Sequence, residues 1–244
     1  MQHLIHLKET SSTNQYLTEC LRKQTLKEGT VVFADFQTSG KGHAENHWES
    51  EAGKNLTFSV LLYPDFLEAQ EQFFLSQLVS LALADVLKTI ISGVSIKWPN
   101  DIYVDDKKIA GVLIENVLSG KHITSSVIGI GVNVNQTAFF SNAPNPVSIK
   151  NLTKKDENLT FLLNAFCGSI FARYTQLLQE DRAGILTDYF SSLYRREGYH
   201  LYRADGVVFS AKVLTVLPSG QLVLEKKNGT KAQFEFKQLA YLFK

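Results

Sequence analysis

Lys97-Trp98-Pro99-Asn100-Asp101-Ile102-Tyr103-Val104-Asp105-Asp106-Lys107-Lys108-Ile109-Ala110-Gly111-Val112-Leu113-Ile114-Glu115 reads as a strand, a turn and a second strand. Ile102, Tyr103 and Val104 are β-formers, Asp105-Asp106 is a charged tip, and the apolar run 109–114 is interrupted only by Gly111. Two such runs joined by so short a polar segment predict a hairpin. At its entry Pro99 supplies no ladder donor, and Asn100-Asp101 carry acceptors into a compact turn. A Lys-Lys pair alone keeps a turn soluble, and Lys107, on the opposite strand face, keeps that role. Lys108 stands just before the second apolar run, so its ammonium is held beside a buried surface.

Working outward, Val94-Ser95-Ile96 is the strand feeding this motif. Before it, 68–91 has the spacing of an amphipathic helix, with Phe73, Phe74, Leu78, Leu81, Val86 and Ile90 on one broad face. Segments 29–36 and 55–63 are β-branched and apolar strands, the second stopped by Pro64. Leu4, Ile5 and Leu7 form a first strand. The polar cluster Glu9-Thr10-Ser11-Ser12-Thr13-Asn14 then precedes a helix marked by Tyr16, Leu17, Cys20 and Leu21. Ser12 or Thr13 is its N-cap, and its free N–H groups suit an anion or an amide. Beyond the turn Ser119-Gly120-Lys121, strand 126–135 carries Gly129 and Gly131 on one face, where missing side chains leave room for something flat. A loop spans 139–146, and helices follow at 158–178 and 185–193. Composition changes at Glu197-Gly198-Tyr199, after which short strands are predicted at 207–209, 211–217, 221–225, 232–236 and 240–243. The expected fold is α+β: a mixed, largely antiparallel sheet backed by helices on one face over 1–196, with a small β-barrel, 197–244, docked on it.

With 244 residues, 44% hydrophobic, 20% charged and a net charge of +1, the chain has no polyelectrolyte character and no basic stripe for nucleic acid. Cys20 and Cys167 show no metal spacing and are expected to be buried thiols of a reducing cytoplasm. On that expectation the Asn-x-Thr triplets at Asn55, Asn151 and Asn158 are chance matches. No leader or membrane-spanning run is apparent.

The strand 29–36 runs straight into Gln37-Thr38-Ser39-Gly40-Lys41-Gly42-His43-Ala44-Glu45-Asn46-His47-Trp48. Glycines around a lysine let a loop turn successive N–H groups toward an anion, although the Walker spacing is absent. His43 and His47, four apart without helical pattern or third ligand, do not predict zinc.

Ser-Thr-Asn before a helix, Gly-Lys-Gly followed by Trp48, Lys-Trp-Pro-Asn-Asp followed by Lys-Ile-Ala-Gly, and Gly-x-Gly-x-Asn occur in that order. Together they resemble the biotin–protein ligases, over nearly the whole chain. The resemblance implies a class II synthetase-like catalytic domain with a C-terminal SH3-like barrel. It implies adenylation of biotin by ATP with Mg2+, the metal carried by the nucleotide, and transfer of the acyl group to a lysine of a biotin carboxyl carrier domain. By motif, Lys108 contacts the biotin carboxylate and the α-phosphate. Lys41 with the Gly40 and Gly42 amides folds over the adenylate, where His43 also falls. Ser12, Thr13 and Gln37 take the ureido end of biotin, Gly111 and Gly129 line its cleft, and Trp48 walls it. Asn100 and Asp101 lie near the phosphates and the incoming lysine, and Asn133 lies toward the adenosine. The resemblance further implies a cytoplasmic monomer or weak homodimer, with no membrane association. The chain begins almost at Ser-Thr-Asn, so a ligase without a DNA-binding helix-turn-helix is expected. Where the family's loop carries arginines and a glycine, this chain has Lys41, His43 and Glu45, which predicts a more weakly held adenylate. The rival readings are a lipoate or octanoate ligase or transferase of the same superfamily, and a biotin-binding module without turnover.

Overall fold

The structure, a computed structural model, describes residues 3–42, 47–141 and 145–243. Strand β1 (Leu4–Thr10) leads through helix α1 (Thr13–Lys23) to β2 (Val31–Gln37) and β3 (Leu56–Leu62). Helix α2 (Phe73–Lys88) precedes β4 (Val94–Lys97), β5 (Asp101–Val104), β6 (Lys107–Ser119) and β7 (His122–Val132). Helices α3 (Ile149–Thr153), α4 (Leu159–Leu178) and α5 (Arg182–Ser191) follow, and β8 (His200–Ala204), β9 (Val207–Val216), β10 (Leu222–Lys226), β11 (Lys231–Phe234) and β12 (Ala240–Tyr241) complete the chain.

The first seven strands form one sheet in the order β1-β2-β3-β7-β6-β5-β4. Only the β1–β2 pair is parallel, because α1 is a crossover, whereas the other connections return antiparallel. The last five strands make an antiparallel sheet, β11-β10-β9-β8-β12.

Alternation along the strands sorts side chains to two faces. Val31, Phe58, Val60 and Ile128 enter the main core with α2, α4 and α5, whereas Val32, Leu61 and Val127 pack with Leu17 of α1. The helices therefore do not all lie on one face as the sequence suggests: α1 covers the opposite side, packing on β2, β3 and β7. That placement leaves the rest of its face, over β6 and β5, open for a site. Residues of the second sheet, among them Tyr202, Val213 and Leu224, join the main core.

Local differences have physical causes. The hairpin of β6 and β7 runs on through the mixed stretches 115–119 and 122–125, where Val117 and Leu118 are exposed while Ile123 stays in the core, so apolar runs underestimate its length. The segments predicted at 207–209 and 211–217 are one strand, β9, and β8 before it was missed because His200 and Arg203 break the apolar pattern. Helix α2 starts only at Phe73, after a 3-10 turn Ala69–Glu71. Asn55 and Asn158 spend their side chains internally, on Gln136 and as the α4 cap, while Cys167 is buried and Cys20 only half-buried. No described helix is long and apolar enough to cross a membrane.

Candidate functional site

A cavity of about 540 Å³ opens on the α1 face of the large sheet, within the size range of small-molecule sites. Its floor is glycine. Gly111 and Gly131 face each other across β6 and β7, with Gly129 two residues along the same face. The indole of Trp48 lies on the first two: a Cβ on Gly131 would stand 2.3 Å from Trp48 Cε2, and one on Gly111 3.2 Å from Trp48 Cζ3. Gly129 makes room for Asn14, whose Oδ1 a Cβ would meet at 2.4 Å. The flat group expected over the glycines is thus, in part, the protein's own tryptophan.

One end of the cavity is neutral and polar. At the start of α1 the Thr13 N–H donates to Gln37 Oε1 at 2.7 Å, and the Thr13 hydroxyl donates to the same oxygen at 3.1 Å. Ser59 Oγ, on the strand beside Gly129, bonds Thr13 Oγ1 at 2.7 Å and Asn14 Oδ1 at 2.6 Å. Asn14 Nδ2 donates to Glu115 at 2.7 Å. Ser12 occupies the N-cap without a side-chain capping bond among the described residues, and it lines the cavity. This set offers donors and acceptors in fixed positions, as recognition of a neutral amide or urea requires.

The other end is charged. Between Ile102↔Ala110 and Tyr103↔Lys108 the β5–β6 register slips by one residue. Strict alternation would turn Lys108 to the core side with Ala110 and Val112; the bulge re-aims it to the cavity, its Nζ 3.2 Å from a Cβ on Gly111. There Lys108 pairs with Asp101 at 2.6 Å, both about a quarter exposed, and lies 5.7 Å from the centre of the Trp48 ring. Its backbone is clamped: Lys108 N–H donates to Asn145 O at 2.9 Å, and Val147 N–H donates to Lys108 O at 2.9 Å. Across the β4–β5 ladder from Asp101 stands Lys97, whose Nζ donates to the Tyr103 hydroxyl at 3.3 Å. Burial pulls the Lys97 ammonium below the usual lysine range, Lys108 and Arg195 act in the same sense, and Asp101 opposes them. Burial, with Asp101 nearby, pushes the Tyr103 phenol up.

The Gly-Lys-Gly segment leaves β2 and folds back, Lys41 pairing with His47 and Trp48 N–H donating to Gly40 O at 2.9 Å. Glu49 then bonds the N–H groups of Phe140 and Ser141, at 3.0 and 2.7 Å, and the Gln136 amide at 3.1 Å. Burial alone would raise the Glu49 pKa, but these donors outweigh it and hold the carboxyl below its usual value. The lowered pKa makes this stabilisation complete above the unfolded value of about 4.3 and lost as pH falls through the folded one. Glu49→Gln is therefore expected to destabilise the chain by about 1 kcal/mol at neutral pH. Urea midpoints of the two proteins should converge on acidification; a constant difference would refute the anionic latch.

Of the residues singled out by sequence, Ser12, Thr13, Gln37, Lys41, Gly42, Trp48, Asp101, Lys108, Gly111 and Gly129 line the cavity together. Gly40, Asn100 and Asn133 do not. Gly40 is at the root of the loop, where a Cβ would meet Trp48 O at 2.6 Å. Asn100 is buried behind the wall. Asn133 ties the end of β7 to 147–149, donating to Val147 O at 3.2 Å, with its Oδ1 buried and unpartnered among the described residues. His43 and Glu45 lie outside the described residues. Sequence reading passed over Asn14, Lys97, Tyr103 and Phe236 as lining residues. The first three had a signal: Asn14 follows Thr13, and Lys97 and Tyr103 share Asp101's face by strand alternation. Phe236, in the turn after β11 and distant in sequence, had none. Among the described residues no three His, Cys, Asp or Glu side chains converge as metal ligands, and Asp101, the carboxylate lining the cavity, is engaged by Lys108.

Fold and site define an α+β domain with an elongated cleft, hydrogen-bonding at one end and cationic at the other. The chain belongs to the biotin/lipoate A/B protein ligase family, whose model matches residues 7–133. It is 38% identical over 137 residues to the bifunctional ligase/repressor BirA of Bacillus subtilis (strain 168), covering 55% of this chain and 41% of that protein. With the Homo sapiens biotin–protein ligase it shares 35% identity over 133 residues, 52% of this chain and 18% of the human one. The chain thus matches less than half the length of these curated relatives. Among solved structures it is similar to the Aquifex aeolicus biotin protein ligase in complex with biotin and ATP, with a TM-score of 0.81, 25% identity, and 98% of both chains covered.

Proposed function

We propose that this protein is an ATP-dependent biotin–protein ligase, in the finer sense a biotin–[acetyl-CoA-carboxylase] ligase, working in the cytoplasm on a biotin carboxyl carrier domain. The observation that carries this reading is Lys108, turned by the β5–β6 bulge into the charged end of a cleft whose other end is neutral and polar. A carboxylate becomes a competent acyl donor only when its oxygen is made a good leaving group. Adenylation does this, but two anions must first meet, which demands a cation at the meeting point. The Ser12, Thr13 and Gln37 end suits the ureido group of biotin, and the charged end suits the nucleotide. Asp101 is placed beside Lys108 to orient or deprotonate the acceptor amine. Gly40, Asn100, His43 and Asn133 are assigned to the adenylate by motif alone. The Mg2+ ion would travel on the phosphates of ATP. For the carrier, strand-to-strand docking needs an open edge. Residues 192–194 bond β4 at Ile96, whereas among the described residues β1 pairs only with β2. The division at 196/197 and a monomeric or weakly dimeric state complete the reading.

The decisive experiment incubates the protein with MgATP, radiolabelled biotin and a purified carrier domain. Label transfer is expected; binding without diphosphate release would mean a binding module, and transfer of lipoate or octanoate alone the rival enzyme. Lys41→Arg is expected to slow release of biotinyl-5′-AMP several-fold, because guanidinium grips phosphate with two parallel bonds where an ammonium gives one point contact. Unchanged release in a trapping assay would sink that idea.

A further inference from the structure

We infer that Lys97 is a further catalytic residue, the cation that takes up the leaving diphosphate; the assignment rests on the ligase reading and deepens it. In the resting cleft Lys108 is already neutralised by Asp101, 2.6 Å away. Lys41 is exposed on its loop. Lys97 is different: half-buried on the cavity wall, it has no carboxylate within ion-pair distance among the described residues. Its Nζ is held instead by the rings of Tyr103 and Tyr241, 5.0 and 5.2 Å from their centroids, and by the Tyr103 hydroxyl. Aromatic faces hold an ammonium in place without cancelling its charge as a carboxylate does. Among the described residues Lys97 is therefore the half-buried lining cation whose charge no carboxylate partner cancels, across the ladder from Asp101.

The reaction needs charge there. A biotin carboxylate oxygen attacks the α-phosphorus, an O–P bond forms, and the bond from that phosphorus to the oxygen bridging to the β-phosphate breaks. The electron pair leaves with the diphosphate, whose bridging oxygen gains negative charge, and no proton moves. Lys108 serves the side where the two anions meet. An unpaired, oriented ammonium serves the departing side without reorganising. Because Tyr241 belongs to the second sheet, that sheet helps build the catalytic wall.

The competing role for Lys97 is a staple between the two sheets, and Lys97→Met, which keeps the stem, separates them. Biotin-dependent exchange of radiolabelled diphosphate into ATP is expected to fall about 100-fold. Transfer from synthetic biotinyl-5′-AMP to the carrier should stay within about threefold, since that step releases no diphosphate, and Lys97→Arg should recover part of the exchange. Undiminished exchange would overturn the assignment, as would an equal fall in both half-reactions with a lowered unfolding temperature. Calorimetric titration with inorganic diphosphate stands apart from turnover. About tenfold weaker binding to the methionine variant supports the clamp even if the wild-type chain forms no adenylate, and equal binding refutes it.

Discussion

Lys108→Met is expected to lower biotin-dependent diphosphate exchange by about 100- to 1,000-fold, the range seen when one preorganised stabiliser of developing charge is removed. The structure adds a condition to this. Lys108 is not a free cation but half of a pair with Asp101, so part of its charge is spent before substrates arrive. Incoming carboxylate and phosphate must draw the ammonium away from Asp101, and the carboxylate so released stands where an acceptor ammonium would enter. The two residues should then divide the half-reactions between them. Lys108→Met should fail at adenylation, with little loss of biotin affinity at the Thr13–Gln37 end. Asp101→Asn leaves Lys108 fully charged, so it should bind the adenylate at least as tightly yet transfer it to carrier lysine at least about tenfold more slowly. Rapid-quench measurement of each half-reaction checks the division, and an adenylation rate in Lys108→Met within threefold of wild type would remove Lys108 from the centre of the mechanism.

The hairpin 97–115 was legible because β-propensity, a polar tip and Pro99 all point one way. The motif puts Lys108 at the cleft, and it lines the cavity, whereas strict alternation from Ala110 and Val112 would bury it. Only the one-residue register slip reconciles the two, and such a slip leaves no mark in composition. Lys97 was passed over for the opposite reason. Alternation sets it on Asp101's face, but its aromatic partner Tyr241, which helps to hold it at the cleft, is far away in sequence. The placement of α1 opposite α2, α4 and α5 was misread because an apolar helix stripe shows that a face is covered, not which side of the sheet it covers. Gly129 and Gly131 were recognised as a flat patch, although what lies on Gly131 comes from a loop more than eighty residues earlier.

Gly131→Ala tests that patch and is expected to have the second largest effect. The added Cβ would stand 2.3 Å from Trp48 Cε2 and 2.6 Å from its Nε1, distances no packing tolerates, and the indole is a rigid plane with no flexible end to yield. The sheet cannot retreat either, since Gly131 is paired on both sides, with Thr57 and with Gly111. Trp48 must therefore leave the floor, taking with it the wall beside Lys108 and the strand-like return to Gly40. Biotin affinity is expected to fall at least about 100-fold, equivalent to nearly 3 kcal/mol, while the main core on the other face stays packed. Gly168→Ala provides the contrast: in α4, where a Cβ meets nothing within 4 Å, it should stabilise the chain by about 0.5–1 kcal/mol. Trp48 is one of only two tryptophans, so its displacement can be followed by fluorescence in a Trp98→Phe background. Double-mutant logic isolates the cause. If the collision with the indole is the whole defect, Trp48→Leu combined with Gly131→Ala should bind biotin no more weakly than Trp48→Leu alone. Additive losses would mean that Gly131 serves the ligand directly rather than the tryptophan that lies on it.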